Sequence, residues 1–117
     1  MKKRVAFGAP LARMQEIQFM IAEMATRIEA ARSLYWRAAY SLDRGRPEPT
    51  LISMAKWNAG DTAVYVTNQA LQLHGGYGYI NEYDVQRFYR DAKIVEIYEG
   101  SKEVEKAIIA ADLLKRA

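Results

Sequence analysis

The sequence contains no cysteine and a single histidine, His74, in 117 residues. Neither a disulfide framework nor a cysteine metal site can be built from it. One histidine also excludes the di-iron carboxylate bundle, which needs a Glu-x-x-His pair on each of two helices. No glutamate stands three residues before His74, so metal is expected at no position. Nucleophilic triads lack their parts too, because no Gly-x-Ser-x-Gly elbow accompanies the histidine. The glycines at 75, 76 and 78 do not match Gly-x-Gly-x-x-Gly, and there is no P-loop.

Charge of one sign is scarce as well. The net charge is +3 and no five like charges stand in a row, which leaves a nucleic-acid partner little to rest on. No apolar run approaches the roughly 18 residues of a membrane helix, so no membrane partner is expected. With no signal-peptide pattern read at the start, the expected location is cytoplasmic. Proline occurs only at 10, 47 and 49, which leaves long stretches free to be helical.

What is present is an ordinary globular balance, 50% hydrophobic and 26% charged, at the length of one domain. Met14, Ile17, Ile21, Met24, Ile28, Ala31, Tyr35, Ala38 and Leu42 follow at steps of three and four, one stripe of a long helix. The run Asp43 to Pro47 stops it. Thr50 is the expected N-cap of a second helix, carrying Ala55, Ala59, Ala63, Val66, Ala70 and Leu73 and ending at Gly75 and Gly76. A glycine- and tyrosine-rich loop follows. Then comes a shorter helix with Val85, Phe88, Tyr89 and Ala92 on one side, and a last helix with Val104, Ala107, Ile108, Ala111 and Leu114 as its expected inner face. The fold class read from this is all-α, an antiparallel up-and-down four-helix bundle with helices near 9–44, 50–75, 83–93 and 101–116. Met14, Met24, Tyr35 and Phe88 are expected in its core.

Two segments could carry chemistry. Gly75-Gly76-Tyr77-Gly78 bares backbone at a helix end, either for a tight turn or for close approach to a phosphate or ring. Tyr98-Glu99-Gly100-Ser101 sets a carboxylate between an aromatic ring and a glycine before a helix start. Such a carboxylate is either an exposed residue complementing the helix dipole or, taken out of water, a general base.

Read in order, Arg4-Val5-Ala6-Phe7-Gly8-Ala9-Pro10-Leu11, Gln15, Ser53-Met54-Ala55-Lys56, Gln72 to Tyr79, Arg90-Asp91-Ala92-Lys93 and Ile97 to Ser101 resemble the C-terminal domain of acyl-CoA dehydrogenases. The resemblance covers about Arg4 to Leu114. It implies that residues 1–117 are a single C-terminal helical domain, with the family's N-terminal helical and middle β-domains lacking. It implies FAD as cofactor, acyl-CoA as substrate, an electron-transfer flavoprotein or similar acceptor, and a homo-oligomer. Glu99 matches the base that abstracts the α-proton, with Ser101 in place of the commoner threonine. The backbone N–H of Glu99 would polarise the thioester carbonyl, and Tyr98, Glu99 and Gly100 would face the substrate. Arg4, Phe7, Gln15, Gln72, Gly75 and Gly76 match positions that contact FAD of a neighbouring subunit. Ser101 and Glu103 match contacts to the adenosine end of the same subunit's FAD. The plainer reading stays open for Phe7, as a plug of the bundle end, and for Gln72, as a cap. Arg90 and Asp91 are expected to form an ion pair before the catalytic segment. Alone, the chain is expected to hold FAD weakly or not at all and to be inactive. The alternative is a stand-alone helical interaction module with Glu99 idle.

Overall fold

In the computed structural model, which describes residues 2–116, nearly everything is helical. Helices α1 (Gln15–Asp43), α2 (Pro49–His74), α3 (Gly76–Tyr79), α4 (Val85–Ile94) and α5 (Lys102–Arg116) follow a short hairpin of β1 (Val5–Ala6) and β2 (Ala9–Pro10). The all-α expectation of four main helices holds, with α3 a single extra turn in the expected loop. Helix α2 is the hub against which α1, α4 and α5 all pack. Its Leu51 and Ala55 meet Ala38 of α1, with Leu34 and Ile52 beside them. Another side of α2 turns Lys56 toward Val95, just after α4, and Trp57 and Asp61 toward Lys106 and Lys102 of α5.

The first helix begins at Gln15, not at residue 9. Phe7 and Gly8 take φ of 52° and 77°, as a two-residue hairpin of the I′ kind requires. Pro10, lacking an N–H, pairs with Val5 in that hairpin. A 3-10 turn over Leu11–Arg13 then leads into α1.

Thr50 is not a cap. Helix α2 starts at Pro49 with Glu48 in the cap position, a proline placement that gives up only an N–H with no helical partner. Thr50 is buried, and its hydroxyl donates to the Asp112 carboxylate, tying α2 to α5. That bond holds the Asp112 carboxyl below its ordinary range, with the Arg116 guanidinium 2.7 Å away adding to it. A carboxyl depressed in the folded state contributes stability that is complete above the ordinary carboxylate range and lost as pH falls through the depressed value. Thr50→Val is therefore expected to destabilise the domain at neutral pH, to matter little in acid, and to move the Asp112 titration upward. Melting curves at neutral and acidic pH, with a carbon-detected titration of Asp112, check this. An unmoved titration would show that the hydroxyl is not the cause.

Two expected faces are corrected. The stripe on α1 splits into rows seven residues apart. Ala31 and Ala38 are buried and Ile17 and Met24 half-buried, whereas Ile21, Ile28, Tyr35 and Leu42 are exposed. On α5 the expected inner face is turned outward: Val104, Ala107, Ile108, Ala111 and Leu114 are all exposed, and Glu105 and Ile109 are buried instead. Phe88 and Tyr35, expected in the core, are 52% and 59% exposed. The physical reason is that an apolar stripe marks a face to be covered without saying which neighbour covers it. The buried apolar residues are few and mostly alanine (Ala31, Ala38, Leu51, Ala55, Ala92 and Ile109). A groove of about 710 Å³, lined by residues such as Tyr35, Leu42, Ile52 and Ala59, stays open between α1 and α2.

Candidate functional site

The expected site residues fall into two groups. The first surrounds Glu99. Helix α4 gives way at Ile94 to tightening turns, and the Tyr98 N–H still reaches the Ile94 carbonyl at 3.1 Å. Beyond it Glu99 takes φ 54° and Gly100 φ 101°. A non-glycine residue in that region costs about 1–3 kcal/mol and persists where its surroundings over-determine it. Among the described residues the Glu99 N–H donates to no backbone carbonyl. The side chains of Tyr98 and Glu99 are exposed, so an unpaired amide and a carboxylate share one outward turn.

Several contacts hold this turn. The Lys56 ammonium donates to the Val95 carbonyl at 2.5 Å and to the Tyr98 carbonyl at 3.3 Å. It also lies 5.8 Å from the centre of the Tyr98 ring. The Glu96 side chain is almost fully covered, accepts from Lys93 and stands 3.8 Å from Lys102, which is itself 3.8 Å from Asp61. Lys93 first, and Lys102 after it, keep the Glu96 carboxyl below its ordinary range. Glu105, buried in the first turn of α5, lies against Gly100: a Cβ there would run into its carboxylate, with Cδ 3.3 Å away. Ser101 is half-buried and its carbonyl accepts the Glu105 N–H at 3.0 Å, while Glu103 is exposed.

The second group sits at the C-terminal end of α2. The Leu11 N–H donates to the Arg4 carbonyl at 2.9 Å, extending the hairpin ladder and fixing Arg4. The Arg4 guanidinium then reaches the His74 carbonyl at 3.4 Å and lies 3.2 Å from where a Cβ on Gly75 would be. Gly75 has φ 61° and closes α2 by donating to the Gln72 carbonyl at 3.0 Å. His74 Nδ1 stays local, 2.7 Å from the Ala70 carbonyl. Gln15, Gln72 and Gly76 are exposed, and Phe7 at the hairpin tip is 98% exposed. A phenylalanine that bare is no plug of the bundle end. From Gly60, beside Val95, to His74 the helix rises about 21 Å, so the two groups are not one pocket within this chain.

The donor set at the second group fits the diphosphate of a dinucleotide. A guanidinium stands beside bare glycine backbone, and open space surrounds the missing Cβ of Gly76. No group of three or more His, Cys, Asp or Glu among the described residues could hold a metal ion.

One sequence expectation needs amendment here. No ion pair joins Arg90 to Asp91 among the described residues; the nearby pairs are Arg87 with Asp84 and Lys93 with Glu96. Lys56 and Glu105, which hold the Glu99 turn, were not singled out as site residues. The Ser53–Lys56 motif was the available signal for the first. The second gave none, because a glutamate in a first helical turn is ordinarily a solvated one.

Comparison with known proteins agrees with the fold. Residues 1–114 match the family model for the acyl-CoA dehydrogenase C-terminal domain. The chain is 52% identical over 114 residues to acryloyl-CoA reductase (NADH) of Anaerotignum propionicum, covering 97% of this chain and 29% of that protein. It superposes on butyryl-CoA dehydrogenase of Megasphaera elsdenii with TM-score 0.94 and 47% identity, covering 97% of this chain and 30% of that one. A chain solved in work on the electron transferring flavoprotein of Acidaminococcus fermentans matches with TM-score 0.94, 44% identity and the same coverage. The sequence thus spans about 30% of the length of these relatives, and over that span it belongs to the acyl-CoA dehydrogenase family, as its C-terminal helical domain.

Proposed function

We propose that this domain supplies the α-carbon base, and the amide that polarises the thioester, of a flavin-dependent enzyme that converts acyl-CoA to trans-2-enoyl-CoA. The observation that carries the reading is the turn at Glu99, where an exposed carboxylate and an unpaired backbone N–H share one strained residue. A thioester α-proton is weakly acidic, and a donor aimed at the carbonyl oxygen makes the developing enolate tolerable. The Glu99 carboxylate takes that proton. Gly100 keeps the approach clear of a side chain. Bound FAD supplies the acceptor for the hydride that leaves the β-carbon. Arg4, Phe7, Gln15, Gln72, Gly75 and Gly76 would hold a neighbouring subunit's FAD, and Ser101 and Glu103 the same subunit's adenosine end. The exposed apolar rows on α1 and α5 favour assembly with further protein surface, in a homo-oligomer and beside the domains that the longer relatives carry. An electron-transfer flavoprotein fits as acceptor, given the setting in which one structural relative was solved.

The similarity to a reductase supports a second direction for the same chemistry. Run in reverse, the protonated Glu99 returns a proton to the α-carbon, and no residue changes its place.

The test uses the FAD-loaded enzyme that carries this domain. Anaerobic addition of acyl-CoA should bleach the flavin, and deuterium from solvent should enter the α-position. A flavin left oxidised by saturated acyl-CoA of every chain length tried, with no deuterium incorporated, would overturn the reading. The 117-residue chain alone is expected to purify colourless. Losing the partner contacts forfeits about 5 kcal/mol of hydrogen bonding and ring burial, a roughly 10³–10⁴-fold weaker affinity.

A further inference from the structure

The Ser53–Lys56 motif, so far without a task, ends in the residue that touches the Glu99 turn from α2. Lys56 Nζ meets two backbone carbonyls. One belongs to Val95, just past the C-terminus of α4, where carbonyls lack helical partners and a cation is favoured. The other belongs to Tyr98. The Tyr98 carbonyl and the Glu99 N–H are two ends of one peptide group. A trans peptide is planar, with its C=O and N–H pointing in opposite directions, and this chain has no cis bond among the described residues. A cation fixed on the carbonyl therefore fixes the direction of the N–H. It also withdraws electrons through the amide and makes that N–H a stronger donor. The aromatic ring of Tyr98 lies over the same ammonium at 5.8 Å, so residue 98 is held at both its backbone and its side chain.

We infer that Lys56 is a positioning residue which, by binding the Tyr98 carbonyl, aims and polarises the Glu99 N–H toward the thioester oxygen. The inference rests on the reading of Glu99 given above. It assigns a role to a residue 43 positions away in sequence that need not touch substrate or flavin.

The test uses the FAD-loaded enzyme that carries this domain, with Lys56→Met, which keeps length and removes the donor, and Lys56→Arg, which keeps the charge. Removing a direct oxyanion donor costs about 10²–10³-fold in turnover. A residue acting through the peptide is expected to cost about 10-fold. In Lys56→Met, α-proton exchange should slow by that factor with KM little changed. The infrared carbonyl stretch of a bound, non-reacting thioester should move back toward its free value. Lys56→Arg should recover most of both. A purely structural role would lower the melting temperature and leave the carbonyl frequency where it was. A folded Lys56→Met with unchanged frequency and exchange rate overturns the inference. If that variant does not fold, the unsubstituted chain decides. With lysine Nζ labelled with ¹⁵N and tyrosine carbonyls with ¹³C, a coupling across the Lys56–Tyr98 bond is expected, and a freely averaging Lys56 ammonium overturns it. The two readings fail separately: loss of the Glu99 carboxylate should stop exchange and leave the carbonyl frequency intact, whereas loss of Lys56 should move the frequency.

Discussion

Glu99→Gln in the flavin-loaded enzyme is expected to cut α-proton exchange and flavin bleaching by about 10⁴-fold, the upper end of what a positioned base supplies. The amide is nearly isosteric with the carboxylate, and the side chain is exposed, so no packing is lost. The backbone strain at φ 54° is common to both residues. The N–H that polarises the thioester survives the change too, so ligand binding and the carbonyl frequency of a bound thioester should stay close to those of the unsubstituted enzyme. What disappears is only the group that takes the proton, and the loss should fall on kcat and not on KM. Stopped-flow bleaching and deuterium incorporation read the chemistry, and a thermal melt reads the fold. Near-normal turnover in Glu99→Gln would place the base on another residue and leave the Glu99 turn without the role proposed for it.

How much of this was legible in the sequence differs from element to element. The starts and stops of α2, α4 and α5 were readable within two residues: Gly75 and Gly100 act locally, and the start of α2 fell one residue from the Thr50 expected to cap it, although Thr50 is not the cap. The start of α1 was not. Phe7-Gly8 lacks the asparagine or aspartate that usually announces a two-residue hairpin, and Pro10 is as acceptable at a helix start as in a short edge strand. The α5 face was misread for a different reason. Its apolar row points away from α2, and its inward row is Glu105, Ile109 and Asp112. Periodicity finds the apolar row and assumes that the chain's own core receives it. Here the chain's own core is thin, and the row stays exposed. Motif order singled out Glu99, Arg4 and Gly75 as separate site positions, but neither the left-handed backbone at Glu99 nor the approach of Arg4 to Gly75 was readable from it. Lys56 and Glu105 needed three dimensions: Lys56 meets backbone carbonyls that no spacing rule connects to it, and the Glu105 carboxylate fills the space beside Gly100.

Gly100→Ala should be a costly single methyl group for the turn that carries Glu99. Two independent costs meet there. The first is backbone conformation: φ of 101° lies outside what a residue with a Cβ adopts readily, a penalty of about 1–3 kcal/mol that no movement of neighbours relieves. The second is steric: the new Cβ would run into the Glu105 carboxylate. That carboxylate ends a side chain and can swing, but it is buried, and swinging drives a charge into new surroundings. The backbone of Glu99 is joined directly to that of Gly100, so the turn must shift, and a displacement of about 1 Å at a reacting group can cost 10²-fold in rate. Gly100→Ala is therefore expected to lose about 2 kcal/mol of stability and about 10²-fold in turnover. The double variant with Glu105→Ala separates the two costs. Removing the carboxylate should relieve the steric share and leave the conformational share, giving a coupling of about 0.5–3 kcal/mol between the sites. Denaturant unfolding of the two single variants and the double variant measures it. A Gly100→Ala protein within about 0.5 kcal/mol of the parent, the range of an inconsequential surface change, would show that neither the dihedral nor the Glu105 contact constrains the turn that carries Glu99.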